Sequence, residues 1–239
     1  MGTAVLFDVR DTEFDTRTVD EAVAYLQSIE SMFSTYRQDS EISRFRDGRL
    51  LLADVDPVVR EVLERCDRLR TDTDGAFDHR SGPDLDPAGY VKGWAIEGAA
   101  GIMSDGGIRS FLISAGGDVV ARGAPPGREA WTAAIRDPED VDAVLGTVSL
   151  KDSAIATSGW YERGDHIWPT SDGSDALASV SVLGPDLGIA DAMATAIFAG
   201  GLSDATWLGR FTGYDFIVVT TDRHILRSPS ARFTPVTAQ

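Results

Sequence analysis

The stretch SVSVLGPDLGIADAMATAIFAGG, residues 179–201, limits most severely what this chain can fold into. Residues 179–183 alternate polar and apolar, the period of a half-buried strand. Gly184-Pro185-Asp186 breaks that strand, and residues 187–199 read as a helix closed by Gly200-Gly201. Apart from Asp191 and Thr195, the helix consists of Leu, Ala, Met, Ile, Phe and Gly, so it is expected to be buried nearly all round. Asp191 and Thr195 are four residues apart and share one face. A buried carboxylate needs a partner, because an uncompensated charge in the interior is very costly. Two readings follow. Asp191 sits in the first turn and answers the helix dipole, with Thr195 bonded back to the backbone, or the pair supplies two oxygen ligands to a hard cation.

Charge narrows the choice of ligands. The 239 residues carry a formal charge of −16 at pH 7, which argues against nucleic acid or an anionic membrane as partner. An anionic ligand is equally unwelcome unless a cation or local basic groups neutralise it. Cys66 is the only cysteine, and the three histidines (His79, His166 and His224) are widely separated, so neither a disulfide nor a zinc motif is written here. The opening MGTAVLFDVR has no basic n-region or long apolar run, and no stretch approaches a membrane span. The expectation is a cytoplasmic protein, although a trimmed exported form would read the same.

Residues 3–9 form a predicted strand, and Thr18 is positioned to cap a helix through Phe33 with Val19, Ala22, Leu26 and Ile29 on one face. FSTYRQDSEISRF follows as a loop. Asp56-Pro57 starts a helix running to about Arg70, within which Cys66 reads as packing rather than reactive. Residues 75–100 begin as a Gly- and Pro-broken loop and turn helical near Tyr90, with Asp78, Asp84, Asp86 and Lys92 around the transition. A helix start with small residues and a lysine suits an anion, though such charge clusters are most often solvated loops. Strands are expected at residues 109–114, 119–122, 131–136, 146–151 and 154–159, the first three forming a hairpin-like region. A short helix at 204–211 and strands at 214–220 and 223–226 complete the chain. Hairpins with interposed helices favour an α+β fold with antiparallel sheets. No GxGxxG follows a strand and no GxxxxGK[ST] occurs, so a nucleotide would not be held in a Rossmann or P-loop manner.

Seven pieces in order resemble the FAD:protein FMN transferase family, the ApbE-like flavin transferases, over almost the whole chain. Met1-Gly2-Thr3 looks like the family's opening strand motif, and FSTYRQDSEISRF like its FSTY-x-x-x-SEISR-F segment. Gly75-Ala76-Phe77-Asp78 matches GAFD, and the stretch from Asp86 to Gly93 is similar to DLGGIAKG. Ser114-Ala115-Gly116-Gly117-Asp118 matches N-x-GGD, Ala156-Thr157-Ser158-Gly159 matches ATSG, and Asp191 to Ala196 matches DA-x-x-TA.

The resemblance implies a single domain over residues 1–239: antiparallel β-sheets flanked by helices, in two intimately packed halves, an ApbE-like, tunnelling-fold-like α+β architecture. It implies Mg²⁺ bound by Asp191, Thr195 and the Gly89 carbonyl, with FAD as substrate contacted by Met1, Tyr36, Ala76, Phe77, Asp78, Asp86, Lys92, Ser158 and Ile167. It implies transfer of FMN from FAD to a Thr or Ser hydroxyl of an acceptor protein with release of AMP, His166 being the expected general base. Two departures stand out. His166-Ile167-Trp168-Pro169-Thr170-Ser171-Asp172-Gly173 replaces the usual H-x-x-DPRTG, and only residues 79–85 separate GAFD from D-x-x-G, where the family has a longer segment. Both bear on acceptor contacts and closure of the flavin site more than on the metal. They keep open FAD hydrolysis to FMN and AMP, and an FAD-binding protein without catalysis.

Overall fold

The computed structural model describes residues 3–80, 85–140, 142–159 and 177–236. Among these, a seven-stranded sheet has the order β1-β2-β3-β6-β7-β8-β9, built from β1 (Val5–Val9), β2 (Phe111–Ala115), β3 (Asp118–Arg122), β6 (Ser153–Gly159), β7 (Leu177–Gly184), β8 (Asp215–Thr220) and β9 (Ile225–Arg227). A second sheet has the order β10-β5-β4, from β4 (Trp131–Arg136), β5 (Val144–Leu150) and β10 (Phe233–Pro235). Every strand pair is antiparallel. The helices are α1 (Thr16–Phe33), α2 (Glu41–Arg46), α3 (Pro57–Asp72), α4 (Ala88–Asp105) and α5 (Leu187–Gly200), with a 3₁₀ turn at Thr206–Arg210. The α+β class with antiparallel sheets and flanking helices is therefore as expected.

The large sheet separates two apolar layers. Phe111, Ile113, Val120, Ala154, Ala156, Val180, Val182 and Val218 face α1, α3, α4 and α5. Ala121, Ile155 and Ile217 face Trp131, Ala133, Ile135, Val148 and Leu150 of the small sheet. This layering corrects the reading of residues 179–183 as half-buried. In β7, Ser179 to Val182 are buried on both faces, because the alternation separates a helix layer from a second sheet rather than core from water. The hairpin-like expectation for residues 109–136 holds only for β2 and β3. β4 leaves that sheet and pairs with β5, and β10 was not anticipated.

The helix ends show which polar residues cap. Asp15, not Thr18, caps α1 by accepting the Arg17 N–H at 3.0 Å. Thr18 is buried within the first turns, where a Cβ at Gly106 would fall 2.3 Å from its Cγ2, so it packs against the end of α4. FSTYRQDSEISRF is not all loop. Ser40 caps α2 by accepting the Ser43 amide at 3.1 Å, while its hydroxyl donates to the Ser34 carbonyl at 2.7 Å. Glu41 accepts the Asp56 amide at 2.8 Å and ties α2 to the start of α3. Asp56 caps α3 with Pro57 behind it, as expected. Cys66 is buried, as expected, and burial pushes its thiol up to about 12.

α4 and α5 form the centre of the helix layer and touch through glycines. A Cβ at Gly93 would lie 2.5 Å from the Leu187 carbonyl oxygen, and one at Gly188 would lie 3.1 Å from the Trp94 Cα. Hydrogen in place of a side chain lets the two backbones approach. Glu97 of α4 fastens the seam by accepting the Leu187 amide at 3.1 Å while ion-paired to Arg122 of β3. Among the described residues no helix is long and apolar enough to cross a membrane.

Candidate active site

The first turns of α4 meet the second turn of α5. Asp186 caps α5 by accepting the Ile189 amide at 2.8 Å, and Gly201 closes it at φ 84°. Asp191 therefore does not sit in the first turn, and the reading that it answers the helix dipole there is corrected. It is 1% exposed, and its Oδ2 accepts the Gly93 N–H at 3.2 Å. In a regular helix that amide would bond to the carbonyl four residues back, that of Gly89. Gly89 in turn lies against Thr195: a Cβ at position 89 would be 3.0 Å from Thr195 Oγ1. The fold thus brings Gly89, Asp191 and Thr195 to one seam.

Beside them lies a carboxylate that the sequence reading quoted in a motif but did not place in the site. Asp118, at the start of β3, is fully buried. Its Oδ2 stands 2.8 Å from Lys92 Nζ, and its Oδ1 accepts the Thr157 N–H at 3.2 Å. Burial, then the negative charge of Asp191, push the Asp118 carboxyl well above the usual range, against the pull of Lys92. The signal available for Asp118 was the left-handed Gly116-Gly117 turn (φ 52° and 84°) that aims it back at the helices.

The surrounding expectations divide. Phe77 is buried, with a ring atom 3.4 Å from where a Gly89 Cβ would be, and the Ala76 Cβ lies 3.8 Å from a Cβ built at Gly200. Thr73 holds this loop by accepting the Phe77 amide at 3.0 Å. Asp78 accepts the Arg80 N–H at 2.9 Å and pairs with Arg70 at 3.0 Å. Burial raises its carboxyl, but the amide and the guanidinium outweigh that and hold it below the usual range. Asp86 is exposed and accepts the Ala88 amide at 2.9 Å, opening α4. Ser158 is buried on β6, next to the residue whose amide binds Asp118. Tyr36 is 89% exposed between α1 and α2, packed on none of this cluster. Met1, His166 and Ile167 lie outside the described residues. A cavity of about 540 Å³ opens beside Lys92, walled by Val5, Phe7, Leu26 and Ile96, with Thr3 and Arg37 among its polar lining.

These donors suit a hard divalent cation. A carboxylate, a hydroxyl and backbone oxygen at a helix start are oxygen ligands, and the buried Asp118 carboxylate beside them is paired with the Lys92 ammonium. Among the described residues no group of three or more His, Cys, Asp or Glu side chains forms a metal cage. Mg²⁺ is suited to few protein oxygens, completing its shell with water and phosphate.

Comparison with known proteins agrees with this layout. The family model described as "ApbE family" matches residues 1–85 and 79–217. A "FAD:protein FMN transferase" of Rhodobacter capsulatus is 34% identical over 160 residues, covering 62% of this chain and 30% of that protein. Another, of Treponema pallidum, is 29% identical over 200 residues, covering 71% of this chain and 55% of that protein. The matched stretches thus span a third to about half of those relatives' lengths. The solved structure "Flavin Transferase ApbE from Vibrio cholerae" superposes with a TM-score of 0.78 at 22% identity, covering 95% of this chain and 94% of that one, and shares the fold.

Proposed function

The chain belongs to the ApbE family, and from that premise we propose that it transfers the FMN moiety of FAD to a threonine or serine hydroxyl of an acceptor protein. AMP is the leaving group, and Mg²⁺ is held by Asp191, Thr195 and the Gly89 carbonyl. The observation that carries the reading is the meeting of Asp191, Thr195 and Gly89 at one buried seam beside the Lys92–Asp118 pair. The names of the relatives supply the substrates.

The reaction makes one bond and breaks one. The acceptor hydroxyl oxygen bonds to the FMN phosphorus, the P–O bond to AMP breaks, and the hydroxyl proton passes to a base. The bound metal would act as a Lewis acid on the pyrophosphate. Lys92 adds positive charge at the wall of the cavity, and the Ala76–Phe77 loop packs over the start of α4 and helps exclude water. Seating a dianion in so acidic a chain requires such local compensation. His166 is the proposed base, by its match to the family position.

The test is mass spectrometry of flavin-acceptor proteins incubated with this protein, FAD and Mg²⁺. A gain of one FMN phosphoester on a Thr or Ser supports the reading. No gain across several acceptors, with AMP released equally in their absence, replaces it with FAD hydrolysis.

A further inference from the structure

We propose that Asp118 is a positioning residue that fixes Lys92 for an anionic substrate, a role resting on the FAD reading above. Both oxygens of Asp118 are committed: Oδ2 to Lys92 Nζ at 2.8 Å and Oδ1 to the Thr157 N–H at 3.2 Å. The carboxylate is fully buried on a strand, whereas the lysine side chain is 21% exposed and lines the cavity. The buried partner therefore helps set the position of the more exposed one, and Lys92 holds its ammonium at the cavity wall.

Asparagine has nearly the same shape but a single acceptor oxygen. Facing two donors, it can satisfy Lys92 or Thr157, not both, and its NH₂ group confronts the other. Asp118→Asn therefore weakens this hold on Lys92. The sign of the effect separates positioning from simple charge. Removing a carboxylate near an anion site strengthens binding by Coulomb's law alone, whereas loss of a positioned lysine weakens it.

Two readouts test this. Lys92 and Lys151 are the only lysines of the chain, and Lys151 is exposed, so each serves as the other's reference in acylation with an N-hydroxysuccinimide ester followed by peptide mapping. Lys92 is expected to label several-fold more slowly than Lys151 in the wild type and to approach it in Asp118→Asn. FAD affinity, read from quenching of flavin fluorescence with Mg²⁺ present, is expected to fall about tenfold or more in Lys92→Ala, as for a charge-assisted hydrogen bond. Asp118→Asn should fall by a similar factor, and the double variant no further than Lys92→Ala.

Wild-type or tighter FAD binding by folded Asp118→Asn overturns the proposal, as do losses that multiply in the double variant. Lys92 labelling as fast as Lys151 in the wild type overturns it without any variant. A wild type that binds no FAD at all refutes instead the functional reading on which the proposal rests.

Discussion

The Gly93 amide donates to Asp191 Oδ2 at 3.2 Å across the seam of α4 and α5, and the same residue has no room for a side chain. A Cβ there would lie 2.5 Å from the Leu187 carbonyl oxygen, which is backbone and cannot swing aside. Alanine in a helix is ordinarily favoured over glycine by about 0.5–1 kcal/mol. Overpacking costs about 1–3 kcal/mol and wins here. Gly93→Ala is expected to lower the urea midpoint and to reduce affinity at the seam, and an unchanged or raised midpoint would contradict the close approach of the helices.

Cys66 has no part in the chemistry. Its thiol is buried, and burial drives it up to about 12, so almost no thiolate exists at neutral pH. Reaction with a disulfide reagent at pH 8 is expected only after denaturant is added, rising at the unfolding midpoint. Rapid labelling of the native protein would show that α3 opens.

His79 links stability to acid. Burial lowers its affinity for a proton, and the nearby Arg80 and Arg70 add to that against Asp67 and Asp78. The folded value thus lies below the unfolded one, about 6.5. The unfolded state binds the proton first, so stability is intact above that value and declines as pH falls below it. The loss between pH 8 and pH 5 should be smaller in His79→Gln, compared by urea denaturation. Parallel curves for the two proteins would contradict the shift.

The ends of α3 and α5 were legible because Asp-Pro and Gly-Gly are local signals that need no tertiary context. β7 was legible as a strand but not as a buried one, since alternation shows that two faces differ without saying what covers each. The serines of residues 33–45 read as loop, yet Ser40 and Ser43 both bond to the Ser34 carbonyl and wrap a helix of only six residues, too short to leave a periodic pattern. Asp191 and Thr195 stood out because polar residues are rare on that helix. Asp118 did not, because its partner lies on α4 and only the fold joins the two.

If Asp191 holds the metal, its charge stands where it repels that of Asp118, so removing it relieves repulsion while forfeiting its contacts, the bond from the Gly93 amide among them. The protein without ligand should therefore lose little stability or gain some in Asp191→Ala. Thr195→Val keeps the shape beside Gly89 and loses a neutral oxygen, and is expected to retain part of the activity. The decisive measurement is AMP release from FAD as a function of Mg²⁺ concentration in wild type and Asp191→Ala. The expected result is loss of metal-dependent release in a variant that melts at or near the wild-type temperature. Wild-type release at the same Mg²⁺ concentrations in Asp191→Ala would contradict the assignment of this seam as the metal site.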